Sequence, residues 1–186
     1  MILTDISVEE YFDELYASEI KLEYHAGEIV AMAGAQVSHN RILINLIQQL
    51  ADCLERRGCE LFSSDQLLKL EFCDRYVFPD LMIVCQEPIF ENTHRGLEAL
   101  INPSIIIEIL SDSTEKFDRT QKLECYQALE SLSEYVLVST NRKRVEVFKK
   151  ITDDEWLQHI YTQKDKNIKI DDCEIELEEI YKRVIL

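Results

Sequence analysis

Two carboxylates stand alone in apolar surroundings. Glu108 interrupts the run Ile105-Ile106-Ile107-Glu108-Ile109-Leu110, and Asp80 follows Pro79 just ahead of Leu81-Met82-Ile83-Val84-Cys85. Short apolar runs rich in β-branched residues and bounded by turn signals read as buried strands. An ionised carboxylate inside such a strand costs several kcal/mol unless a partner compensates it. Each of the two therefore asks for a cation. Hard divalent ions such as Mg²⁺ or Mn²⁺ take oxygen ligands, commonly one or two protein carboxylates with waters completing the shell. A metal so held lowers the pKa of a bound water and neutralises charge on a phosphodiester. Lys122 adds an ammonium that can orient that water or steady developing negative charge. Metal-dependent phosphodiester hydrolysis is the chemistry these three side chains can perform together. The plainer readings are a strand end at Asp80 beside Pro79 and a structural ion pair at Glu108.

The elements that must position them follow from local signals. Asp118 with Gln121 three residues on fits a capping box, so a helix starts at Arg119 with Lys122 in its first turn. Tyr126 then lies one turn further along the same face. Glu134-Tyr135-Val136-Leu137-Val138-Ser139 is the next strand, and strand, helix, strand at this spacing is a right-handed βαβ crossover. Upstream, Ser7 and Glu10 form a capping box for a helix over about 8–17. Lys21–Tyr24 and Glu28–Met32 form a hairpin about a turn at His25-Ala26-Gly27, and Ser38 caps a second helix that Gly58 stops. Strands follow over about 60–71 and 76–85, then a long polar connection over 86–103 with room for one helical turn. Beyond Ser139, the segments at 145–148, 156–161 and 171–177 read as an antiparallel flank.

The accessory candidates are Glu28, Asp118 and His39. Glu28 and its neighbour Glu23 read first as hairpin surface, Asp118 first as a helix cap, and His39 equally as a residue packing at a helix start. His25, His94 and His159 have no metal-ligand spacing, which argues against zinc.

Composition narrows the class. The chain has 186 residues, 46% hydrophobic, with 4 Gly and 3 Pro, as expected of one globular domain. No apolar stretch approaches the roughly 20 residues of a membrane span, and the N-terminus lacks a signal peptide's basic and apolar regions. Six cysteines without a C-x-x-C pair are then expected as reduced thiols in a cytoplasmic protein. The net charge of -16 argues against a general nucleic-acid coat. It is uneven: residues 112–150 hold eight Lys/Arg against seven Asp/Glu, leaving -17 for the rest.

Pro79-Asp80, followed by Glu108 in a later strand, resembles the PD-(D/E)XK restriction-endonuclease-like superfamily. The ordered set Glu108-Ile109-Leu110-Ser111, Thr114, Asp118, Lys122, Tyr126 and Glu134-Tyr135 resembles more closely its Uma branch. So do Glu23…Gly27-Glu28 in the hairpin and His39 opening a helix. The superfamily's usual lysine would fall at position 110, which is Leu110; in the Uma branch it looks relocated to the following helix, at Lys122. The resemblance implies an α/β fold with a restriction-endonuclease-like core, a mixed central β-sheet flanked by helices, and an antiparallel β flank. It implies one domain over 1–186: a helix and hairpin over 1–34, a nuclease core over about 35–150 and a C-terminal β extension over 151–186. It also implies a DNA endonuclease with Asp80 and Glu108 on Mg²⁺ or Mn²⁺ and Lys122 at the attacking water. One site per chain suits a homodimer when both strands are cut. The alternative is a catalytically silent copy of the fold acting as a binding or regulatory module, which the acidic surface favours.

Overall fold

The computed structural model describes residues 5–32, 34, 36–110, 120 and 122–186. Helix α1 (Val8–Ala17) starts at its capping box. The Ser7 hydroxyl accepts from the Glu10 N–H at 3.2 Å, and the Glu10 carboxylate accepts from the Ser7 N–H at 2.8 Å. Strands β1 (Leu22–His25) and β2 (Glu28–Ala31) turn through Ala26 and Gly27, both at positive φ. Glycine takes the more extreme value, 95°, where a Cβ would be strained. Helix α2 (Val37–Arg56) begins before the expected cap: Gln36 is its N-cap, and Ser38 lies inside the first turn. Its stripe Ile42, Leu46, Leu50, Leu54 is fully buried at four-residue spacing.

The two long strands expected next are each broken. β3 (Glu60–Ser63) and β4 (Leu67–Leu70) part at a turn closed by the Gln66 N–H on the Ser63 carbonyl. β5 (Arg75–Val77) and β6 (Leu81–Val84) part at Phe78-Pro79-Asp80, where proline lacks the N–H of a continuous ladder. The halves enter different sheets, β4 and β5 in one, β3 and β6 in the other. The connection over 86–103 holds its helical turn at His94–Gly96 but also the hairpin β7 (Phe90–Asn92) and β8 (Glu98–Leu100).

β9 (Ile105–Leu110) is buried throughout, and β10 (Glu134–Ser139) pairs with it in parallel, with Leu137 beside Glu108. Helix α3 (Leu123–Gln127) lies between them in sequence, completing the βαβ unit. Lys122 has helical φ and ψ directly ahead of α3, while the capping box expected from Asp118 and Gln121 lies outside the described residues. β11 (Arg144–Lys150) and β12 (Trp156–Thr162) extend the sheet in antiparallel fashion.

The first sheet runs β2-β1-β5-β4-β8-β7 and the second β12-β11-β10-β9-β6-β3. The acidic tail does not join the flank. It forms a separate ribbon, β13 (Asn167–Ile170) with β14 (Cys173–Glu176), which packs with α4 (Leu177–Ile180) on α2. The second sheet carries a core on each face because side chains alternate along its strands. Ile105, Ile107, Ile109, Val136 and Val138 face α2, whereas Ile106, Leu110 and Leu137 share a cluster with Tyr126 of α3 and with Leu68 and Val77 of the first sheet. Glu108 alternates onto that second face.

The cysteines correct the expectation of reduced thiols. All six are paired, as Cys53–Cys173, Cys59–Cys85 and Cys73–Cys125. Partners 120, 26 and 52 residues apart leave no local spacing signature, so only the fold brings them together. No helix among the described residues is long and apolar enough to cross a membrane.

Candidate active site

The register of β6 on β9 sets Leu81 opposite Ile107. One step further along the same register, Asp80 stands opposite Glu108. Pro79 ends the ladder there, and the two residues cross-brace instead. The Asp80 N–H donates to Glu108 Oε2 at 3.4 Å, and the Ile109 N–H donates to Asp80 Oδ2 at 2.7 Å. The two carboxylates singled out in the sequence therefore meet at one end of one strand pair.

Lys122 joins them from α3. Its Nζ lies 3.1 Å from Glu108 Oε1, and one turn later the Tyr126 hydroxyl donates to the same oxygen at 2.7 Å. Leu110, at the position of the superfamily's lysine, is buried in the apolar cluster. The ammonium reaches Glu108 from the helix.

Two further groups close around this centre. His39, in the first turn of α2, holds Nε2 3.1 Å from each Asp80 carboxylate oxygen. Its Nδ1 is buried without a hydrogen-bond partner among the described residues. Glu23 of β1 is 5% exposed, although its place in a hairpin reads as surface. Its Oε1 accepts from the Phe78 N–H at 3.1 Å and lies 3.8 Å from Lys122 Nζ; its Oε2 lies 3.0 Å from His25 Nε2. Burial pushes the Glu23 carboxyl pKa up, but the Lys122 charge, His25 and the Phe78 N–H outweigh it and hold the group below its ordinary value. Glu28 is exposed and joins none of these hydrogen bonds, and Asp118 lies outside the described residues.

Sequence reasoning left His25 out of the site, weighed Glu23 as an accessory carboxylate but favoured hairpin surface, and placed Tyr126 on the Lys122 face without giving it a role. Period-two alternation already puts Glu23 and His25 on one face of β1. What it cannot show is that β1 pairs with β5, which brings that face up to Phe78 and Lys122.

The donor set can be tested against a divalent cation. Glu23, Asp80 and Glu108 carry three negative charges, and among the described residues Lys122 is the one ammonium set against them. Among the described residues, and with His25 and His39 counted as neutral, these four groups leave an excess of two negative charges, the sign that a divalent cation requires. Among the described residues, no group of three His, Cys, Asp or Glu side chains is arranged to hold a metal. Two carboxylates completed by waters are a donor set that a hard divalent ion such as Mg²⁺ or Mn²⁺ accepts.

Residues 8–178 match the model of the Uma2 family, described as "Putative restriction endonuclease". The chain belongs to this family. It is 36% identical over 152 residues to an uncharacterized protein of Synechocystis sp. (sll1609), covering 82% of this chain and 85% of that one. A second uncharacterized Synechocystis protein (slr1290) is 29% identical over 161 residues, covering 87% and 83%. The fold is shared with a crystal structure from Anabaena variabilis, titled a "putative nuclease belonging to DUF820". The TM-score is 0.74 over 97% of this chain and 100% of that chain, at 17% identity.

Proposed function

We propose that this protein is a divalent-metal-dependent endonuclease that hydrolyses phosphodiester bonds of DNA, and that residues 1–186 act as one domain. The observation that carries the reading is the meeting of Asp80, Glu108 and Lys122 at one buried corner, with Lys122 Nζ 3.1 Å from Glu108 Oε1. Asp80 and Glu108 would hold Mg²⁺ or Mn²⁺. When bound, the ion supplies an acidified water and charge neutralisation at the phosphate. Glu108 presents its carboxylate from a rigid central strand, and the backbone N–H groups of Asp80 and Ile109 fix the pair's orientation. Lys122 either donates to the attacking water or offsets the charge that develops on the phosphate oxygens. His39 keeps Asp80 turned toward Glu108. One such site per chain suits a homodimer on duplex DNA.

The net charge of -16 favours the second reading, a catalytically silent binding module on the same fold. One incubation separates the two: plasmid and single-stranded DNA with purified protein, with Mg²⁺, Mn²⁺ or EDTA. Cleavage in the metal arms that EDTA and Asp80→Ala both abolish is the expected result. DNA retention without cleavage in any arm would select the silent module. A phosphodiesterase for small substrates would cleave a chromogenic diester but show no salt-dependent hold on DNA.

A further inference from the structure

We infer that Glu23 is a positioning residue that holds the Lys122 ammonium between two carboxylates. The inference rests on the nuclease reading above and deepens it at the same site. Lys122 Nζ lies 3.1 Å from Glu108 Oε1 and 3.8 Å from Glu23 Oε1. A lysine needs such a brace because its four-carbon stem carries about 2 kcal/mol of rotamer entropy and its charge has no preferred direction. Without Glu23 the ammonium would sit more fully on Glu108, the carboxylate that is to hold the metal. Glu23 shares the charge and leaves Glu108 less encumbered.

Glu23 is itself fixed from an element remote in sequence. The Phe78 N–H and His25 Nε2 occupy one carboxylate oxygen each, at 3.1 and 3.0 Å. These partners are donors and a cation, so the lone pairs of Glu23 already point at protein groups. Asp80 and Glu108 cross-brace each other directly, whereas Glu23 is joined to Glu108 through Lys122, which makes it a support for the ammonium in place of a third metal ligand. The β1–β2 hairpin thereby completes a corner otherwise built from β6, β9 and α3.

The test compares parent, Glu23→Gln and Glu23→Asp in three measurements: DNA cleavage kinetics, Mn²⁺ binding followed by the paramagnetic resonance of free Mn²⁺, and acetylation of Lys122 by acetic anhydride read by mass spectrometry. In Glu23→Gln, kcat should fall about 10–100-fold, the range for outer supports of a metal site, with KM and Mn²⁺ affinity within about twofold of the parent. Lys122 acetylation should rise at least about fivefold, because an amine released from its clamp is more often exposed to the reagent. Glu23→Asp should lie between. Parental kcat with parental acetylation would overturn the inference. So would a loss of Mn²⁺ affinity of about tenfold or more, which would make Glu23 a ligand. Unfolding of both variants would make it structural and overturn the inference equally. If the parent itself cleaves nothing, the nuclease reading fails, while the acetylation arm still decides whether Glu23 holds Lys122.

Discussion

Glu108 Oε1 accepts two hydrogen bonds, from Lys122 Nζ at 3.1 Å and from the Tyr126 hydroxyl at 2.7 Å. The Tyr126 ring is fully buried and lies 5.1 Å from the Tyr135 ring in a T-shaped arrangement, so the hydroxyl has little freedom to aim elsewhere. Tyr126→Phe keeps that packing and removes only the O–H. The expected result is a fall of about tenfold in kcat, since supports of a ligating carboxylate typically act over 10–100-fold. The cost in stability should be about 1 kcal/mol, the usual net worth of one hydrogen bond. Cleavage kinetics beside thermal melts check both numbers, and an unchanged kcat would leave the hydroxyl a purely structural role. Glu108→Gln is the harsher change. On the proposed reading it should reduce metal-dependent cleavage by about 100-fold or more, because it would remove one of the two metal-holding carboxylates. The fold should survive within about 1 kcal/mol, since the amide oxygen can still accept from Tyr126 and Lys122 keeps Glu23 beside it. A variant that cannot fold would make Glu108 one half of a structural ion pair.

At the scale of elements, Lys122 directly ahead of α3 and Tyr126 within it place two partners of Glu108 on one short segment, and Cys125 of α3 is bonded to Cys73. Cys73 ends the turn between β4 and β5, so this disulfide staples the helix bearing the site to the first sheet. Closing a loop of 52 residues is worth about 4 kcal/mol in the chain-entropy account. Cys73→Ser should therefore lower unfolding stability by about 2–4 kcal/mol and also reduce kcat, as Lys122 and Tyr126 lose a fixed base. Cys59→Ser, which frees a bond between β3 and the end of β6, should lower stability with a smaller effect on kcat. Urea titrations and cleavage rates of the two variants make the comparison, and equal kcat losses would refute a special role for the staple. This bond was not legible in the sequence, because nothing local relates positions 73 and 125. The βαβ unit was legible, since hydrophobic runs and turn residues specify it locally. The breaks in the strands over 60–71 and 76–85 were half legible. Pro79 marks one of them, but the assignment of their halves to two sheets depends on long-range pairing. Asp80 and Glu108 stood out for the same local reason, a charge in an apolar run. Glu23 sits in an ordinary polar hairpin and becomes a buried carboxylate only when β1 meets β5.

At the scale of the whole molecule, the acidic balance sets the response to pH. With a net charge of -16 and a sequence pI near 4.6, self-repulsion eases as the pH falls. One buried group adds its own slope. Glu134, at the start of β10, is 3% exposed and accepts the Asp171 N–H at 2.7 Å, tying the second sheet to the turn between β13 and β14. Burial raises its pKa above the ordinary 4.5, and the Asp171 N–H and the Lys149 ammonium offset this only in part. The folded state therefore binds this proton more tightly than the unfolded chain. The resulting stability is fully present below the ordinary carboxylate pKa and is lost as the pH rises through the raised, folded value. Above it, Glu134 is a buried charge held at a cost. In Glu134→Gln the side chain is neutral throughout and its amide oxygen still accepts from Asp171. Lys149, 51% exposed, loses little when its partner goes, since exposed ion pairs are worth about 0–1 kcal/mol. Stability measured by urea unfolding across a pH series should show the difference, variant minus parent, growing as the pH rises above about 4.5 and then levelling off. Other titrating groups are common to both proteins and cancel in that difference. If the difference instead shrinks or reverses with rising pH, Asp171 and Lys149 hold the carboxylate below its ordinary pKa, and Glu134 is a stabilising anion at neutral pH.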